Sequence, residues 1–156
     1  VMALFGAPIY YPDHAIRALR VGLDMMEAHR NCQAKWRQHG RPAPGVGIGI
    51  NTGEMVIGNM GSPLQVNYSV LGHHVNLAAR LCSLALAGEV LLGEKTFAIV
   101  QDAAKAGTLG IQRNLKFKRK GNINAKGISK PVGIISVVEK EFDPEAAQPA
   151  AGAEKV

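Results

Sequence analysis

The chain has 156 residues, 47% of them hydrophobic, which is enough apolar material for one core in one domain. No uninterrupted apolar run approaches the roughly 20 residues of a membrane span, no charged-apolar-small leader opens the chain, and Cys32 and Cys82 form no C-x-x-C pair; a spanning helix, a disulfide framework and a cysteine metal knot are excluded as readings. The formal charge of +6 and pI near 9.6 fit an anionic partner such as a nucleotide, a nucleic acid or a lipid headgroup, and a soluble, cytoplasmic piece is expected.

Val1 to Phe5 is a short apolar run stopped by Gly6-Ala7-Pro8, which predicts a buried strand. The chain opens on Val1 in what reads as mid-strand, so a piece of a longer polypeptide is expected. Asp13 is the expected N-cap of a long amphipathic helix reaching about His39, with Ile16, Leu19, Leu23 and Met26 as its apolar stripe and Gly40, Pro42 and Pro44 ending it. His14 is assigned to helix-terminal packing, and Met25 and Met26 to core filling.

Val46 to Asn51 and Met55 to Gly58 are β-prone runs that read as a hairpin around Thr52-Gly53-Glu54. Gly47, Gly49, Gly53 and Gly58 predict close backbone approach in a curved sheet. The G-x-G leads to a turn and a strand, not a helix, so it is no dinucleotide fingerprint. Gly61 to Val66 is expected as a polar turn.

From Asn67 to Leu84 the chain reads N-Y-S-V-L-G-H-H-V-N-L-A-A-R-L-C-S-L. A strand from Tyr68 breaks at Gly72, and from Val75 onward Leu77, Leu81, Leu84 and Ala85 recur on one helical face. Asn76 and Arg80, four apart, share another face and can reach into one small volume. An amide and a guanidinium aimed together suit an oxygen-rich ligand such as a phosphate ester, although the bare pair also reads as a solvated polar face. His73 and His74 have no nearby Cys, Asp or Glu and read as helix-start residues rather than metal ligands.

Beyond this stretch a strand is expected over Glu89 to Leu92, a helix over Glu94 to Val100, and a loop over Ala103 to Gly110. Ile111 to Phe117 and Val132 to Val138 read as the last strands, joined by a basic, glycine-containing connection from Lys118 to Pro131. The domain is placed at 1–141. The Ala-, Pro-, Gln- and Glu-rich remainder, 142–156, is expected to be a disordered tail. Two strand-helix-strand units predict an α/β (α+β) sandwich with a mixed sheet covered on one face by helices.

Three motifs in order, V-M-A-L-F-G-A-P, G-I-N-T-G-E-M-V-I-G-N-M-G and Y-S-V-L-G-H-H-V-N-L-A-A-R-L, resemble the catalytic domain of bacterial-type class III adenylate and guanylate cyclases over Val1 to Val138. The resemblance implies a ferredoxin-like core with a mixed, mainly antiparallel sheet, here lacking the opening strand and first helices. It implies conversion of ATP, or less favourably GTP, to a 3′,5′-cyclic monophosphate and pyrophosphate, with two Mg²⁺ or Mn²⁺ ions and a homodimer sharing two sites. By motif position Asn76 would hold the ribose and Arg80 the transition-state phosphoryl group. Ser69 would read the purine edge and Lys126 the triphosphate.

The family's metal-binding aspartates and the purine-contacting lysine of many members would precede Val1. None of Asp13, Asp24, Asp102 and Asp143 stands in a strand-end pair, so no metal ligand is assigned to this chain, and the piece alone is expected to be inactive. In many members an Arg that contacts the triphosphate corresponds to Gly47. A non-catalytic, nucleotide-binding regulatory domain is the alternative reading. A nucleic-acid surface is set aside: Lys116 to Lys120 interleaves only Phe117 and reads as a solvated loop, and the strands lack the paired aromatics of an RNA-binding sheet. Any membrane association would run through parts of a longer protein.

Overall fold

The computed structural model describes residues 1–62, 65–124 and 131–139. Its elements are α1 (His14–Gln38), β1 (Ile48–Ile50), β2 (Val56–Ser62), β3 (Gln65–Leu71), α2 (His73–Leu84), β4 (Val90–Gly93), α3 (Glu94–Lys105), β5 (Leu115–Ile123) and β6 (Val132–Glu139). Four strands form a mixed, mainly antiparallel sheet in the order β1-β4-β6-β5, in which only β1 and β4 are parallel. β2 and β3 pair antiparallel as a separate two-stranded sheet, from Val56 opposite Leu71 to Ser62 opposite Gln65.

All four residues of β4, V-L-L-G, are buried, as a strand covered on both faces must be. Alternation sorts them. Val90 and Leu92 join Leu19, Leu23 and Met26 of α1, Val100 of α3, and Ile135 and Val137 of β6 in one core. Leu91 joins Leu77 and Leu81 of α2 and Ile134 of β6 in a second core on the opposite face. Helices therefore cover both faces of the sheet, α1 and α3 on one and α2 on the other, rather than one face as the sequence implied. Each fully buried leucine of these cores contributes about 2 kcal/mol.

Glycines set how closely α2 approaches. A Cβ at Gly49 would run into the backbone nitrogen of Cys82 and lie 2.5 Å from the Ala78 carbonyl, so β1 and α2 meet backbone to backbone. Gly47 likewise has the Ala85 carbonyl 2.6 Å from where its Cβ would be. The close approach expected of these glycines is to a helix, while Gly58 has open space around it.

Several expectations are corrected. Val1 to Phe5 joins no strand, and Val1 and Met2 are exposed. Among the described residues β1 pairs with β4 alone, and this run is not added to its open edge. β1 and β2 are not a hairpin, because β1 adds to β4 and β2 turns back on β3; the turn expected over Gly61 to Val66 is mostly strand. Met25 is 47% exposed whereas Met26 is 3% exposed, the 100° step between neighbours on a helix carrying one of them away from the core. Asp13 precedes α1 but caps no backbone N–H; its carboxylate accepts from Arg17 Nε at 2.7 Å. α3 runs on to Lys105, and β5 starts at Leu115 and takes in the basic run to Ile123. The tail and Lys126 lie outside the described residues.

Candidate functional site

β3 ends at Leu71 and α2 begins at His73, so the chain turns from strand to helix on Gly72 alone. Gly72 has φ 154° and ψ 156°, a region open in practice only to glycine, and its missing Cβ would press on the Glu54 carbonyl at 3.2 Å. Leu77 and Leu81 are buried against β4 and β6, which leaves Asn76 and Arg80 exposed together on the outer face of α2. Leu84, expected on the apolar face, is exposed in the last turn, and Ala85 lies just past the helix.

Arg80 Nη1 donates to the Asn124 carbonyl at 2.7 Å, which joins the middle of α2 to the end of β5 across 44 residues. One arm of the guanidinium is thereby oriented. Ser69 lies in β3 opposite Gly58, four residues before α2 begins. The structure thus brings Asn76 and Arg80 together and sets Ser69 on the strand that feeds their helix.

A second set of contacts holds the start of α2. Asn51, directly after β1, donates from Nδ2 to the His74 carbonyl at 3.1 Å and lies 3.3 Å from His74 Nδ1. The His74 ring lies where a Cβ of Gly53 would be, and the Asn51 side-chain oxygen lies where a Cβ of Gly93 would be. Thr96, buried in α3, donates to Thr52 Oγ1 at 3.0 Å. The N-T-G segment is therefore a junction between β1, α2 and α3. The sequence offered no signal for this role, since Asn51 and His74 are 23 positions apart.

Behind this face the Glu89 carboxylate is wholly buried. It accepts from Ser136 Oγ at 2.5 Å and the Leu86 N–H at 3.0 Å, and pairs with Lys120 Nζ at 2.9 Å. Lys120 is the residue passed over where the β5–β6 register slips between Arg119 and Gly121, so a bulge re-aims its ammonium at Glu89. Burial pushes the Glu89 pKa up, but the hydrogen bonds from Lys120, Ser136 and Leu86 outweigh it and hold the group below the ordinary value. On the exposed side Arg119 pairs with Glu94 at 2.8 Å. The basic run is thus an edge strand, with Arg119 and Lys120 among its paired cations, not a loop.

The model of the adenylate and guanylate cyclase catalytic domain matches residues 1–137. The chain belongs to this family. It is 30% identical over 140 residues to adenylate cyclase 1 of Rhizobium meliloti, an alignment covering 88% of this chain and 20% of that protein. The adenylyl cyclase CyaB from P. aeruginosa superposes with a TM-score of 0.70 at 31% identity, over 87% of this chain and 65% of that one. The guanylyl cyclase Cya2 does so with a TM-score of 0.67 at 31% identity, over 90% and 66%. The cyclase domain thus spans about a fifth to a quarter of the length of the full-length relatives it matches.

The mixed sheet and its helices are those of cyclase domains, as the three motifs implied. The family uses divalent cations. Among the described residues no three His, Cys, Asp or Glu side chains stand together as ligands for such ions, so these residues do not fit a metal centre. Nor is any helix among them long and apolar enough to cross a membrane. At Gly47 the space beside the backbone is taken by Ala85.

Proposed function

We propose that this domain is part of a nucleotidyl cyclase that converts ATP, with GTP the less favoured substrate, to the 3′,5′-cyclic monophosphate and pyrophosphate. The ribose 3′-hydroxyl gives up its proton to solvent as its oxygen bonds to the α-phosphorus, the bond from that phosphorus to the bridging oxygen breaks, and pyrophosphate leaves. The observation that carries this reading is the exposed pair of Asn76 and Arg80 on α2, with one arm of Arg80 already fixed on Asn124.

Asn76 has a donor and an acceptor with which to hold the ribose and orient its 3′-hydroxyl. Arg80 presents its remaining donors to the phosphoryl oxygens as charge develops on them. The Ser69 hydroxyl, which can accept from an adenine amino group or donate to a ring nitrogen, reads the purine. Lys126 neutralises the triphosphate from the segment that directly follows the Arg80 anchor. Mg²⁺ or Mn²⁺ would come with ligands this chain does not assign, and a second protomer would complete each of two sites in a homodimer.

The test is a cyclase assay with Mn²⁺ and either ATP or GTP, on this purified chain and on the full-length protein. The full-length protein is expected to form product and the isolated chain none. Cyclic nucleotide made by the chain alone and abolished by Arg80→Ala would overturn the expectation that this piece is inactive by itself. If the full-length protein binds nucleotide without converting it, the regulatory alternative holds instead.

A further inference from the structure

We propose that Asn51 is a positioning residue for the α2 site, acting by clamping His74 at the start of the helix. The inference rests on the assignment of Asn76 and Arg80 above. Asn51 offers two N–H donors from one nitrogen, and the two acceptors in reach are both on His74: its carbonyl at 3.1 Å and its ring Nδ1 at 3.3 Å. This pairing requires the imidazole to carry its proton on Nε2. Protonation at Nδ1 would set an N–H against the amide N–H and remove one arm of the clamp.

The amide has no good alternative pose. Rotated by 180°, its oxygen would face the His74 carbonyl, lone pair against lone pair, and its NH₂ would take the space beside Gly93 where the side-chain oxygen now lies. Nor is the ring free, because it lies on Gly53 in the same segment. Asn51 itself is held in place, since Ile50 is in β1 and the adjacent Thr52 accepts from buried Thr96. Asn76 follows His74 by two residues and Arg80 lies one turn further, so the clamp sets the position of both. The titratable groups adjoining this junction in sequence are His73 on α2, Glu54 after the N-T-G segment and Glu94 at the start of α3; Glu94 is engaged by Arg119 and the Gly133 N–H.

Asn51→Asp keeps the shape of the side chain but replaces both donors with a carboxylate. Its carboxylate faces the lone pair of the His74 carbonyl, and the ring can meet it only by moving its proton from Nε2 to Nδ1 or by gaining a second one. In the full-length enzyme, kcat for Asn51→Asp is expected to fall about tenfold to a hundredfold at pH 8, with KM little changed, and to recover towards wild type as pH drops. Asn51→Ser, with one donor, should lie between. Nitrogen NMR of the histidine rings of this chain reads the clamp without any turnover: His74 should carry its proton on Nε2 in the wild type and on Nδ1 in Asn51→Asp. A His74 ring tautomer identical in wild type and Asn51→Asp would overturn the clamp. So would an unchanged pH–rate profile for Asn51→Asp in an enzyme that Arg80→Ala cripples. If Arg80→Ala leaves turnover intact, the catalytic assignment of α2 fails, while the NMR result still decides whether Asn51 clamps His74.

Discussion

Arg80 Nη1 and the Asn124 carbonyl, 2.7 Å apart, tie the outer face of α2 to the last residue described before 125–130, the segment that contains Lys126. An exposed arginine that must place its charge on a phosphoryl group gains from such a tether, because part of its rotamer entropy is lost before substrate arrives.

Replacing Arg80 by Ala in the full-length enzyme should lower kcat by about 10² to 10³ while KM changes much less, since the group acts on charge that develops in the transition state. Arg80→Lys keeps the charge but not the fork that serves Asn124 and substrate together, so it should recover only part of the rate. Urea unfolding of either variant should stay within about 0.5 kcal/mol of wild type, because the side chain is exposed. A loss of rate matched by a loss of stability would instead make Arg80 a structural residue.

The backbone contact between β1 and α2 predicts a sharp contrast between two glycines. Gly49→Ala puts a methyl group into the α2 backbone at Ala78 and Cys82 and should cost about 3 kcal/mol, read as a lower urea midpoint. Gly58→Ala, on open β2, should cost no more than about 0.5 kcal/mol. Equal costs at the two positions would mean that α2 does not pack on β1 as described.

The sequence was informative where a pattern is local and periodic. The stripe of Leu19, Leu23 and Met26 and the break at Gly72 each follow from a few neighbouring residues, and α1 and the start of α2 lie within two residues of where those signals put them. Pairing was not legible. Ile48 to Ile50 and Val56 to Ser62 are both β-prone and close in sequence, but each pairs elsewhere, β1 through three register pairs with β4 and β2 through seven with β3. The same holds for the site. Asn76 and Arg80 could be read from a spacing of four, whereas the Asn51–His74, Arg80–Asn124 and Glu89–Lys120 contacts join residues 23 to 44 positions apart with no periodicity to betray them.

The two adjacent methionines of α1 should separate cleanly. Met26 is packed with Leu23 and β4, and Met26→Ala should cost about 2–4 kcal/mol. Met25→Ala should stay within about 0.5 kcal/mol, since that side chain is nearly half exposed and leaves no cavity. Denaturant melts of the two variants decide it, and similar losses would put Met25 in the core after all.

The buried carboxylate of Glu89 gives stability a defined dependence on pH. Its pKa lies below 4.5 in the folded chain, so the unfolded chain binds the proton more tightly. Its stabilising contribution is therefore complete above about pH 4.5 and is lost as pH falls through the lower, folded value. Glu139 acts in the same direction: burial raises its pKa, but the hydrogen bonds from Arg113 and Arg30 more than offset this. Glu89→Gln removes the charge and leaves Lys120, whose side chain is only 26% exposed, facing a neutral amide. The variant should lose about 2–4 kcal/mol at pH 7, less than a fully buried broken pair because water still reaches Lys120. It should also show a flatter decline below pH 4.5 than wild type, Glu139 supplying what slope remains. Urea midpoints of both proteins between pH 3 and pH 7 test this. Parallel curves would mean that the Glu89 carboxylate is no more stabilised in the folded chain than in the unfolded one.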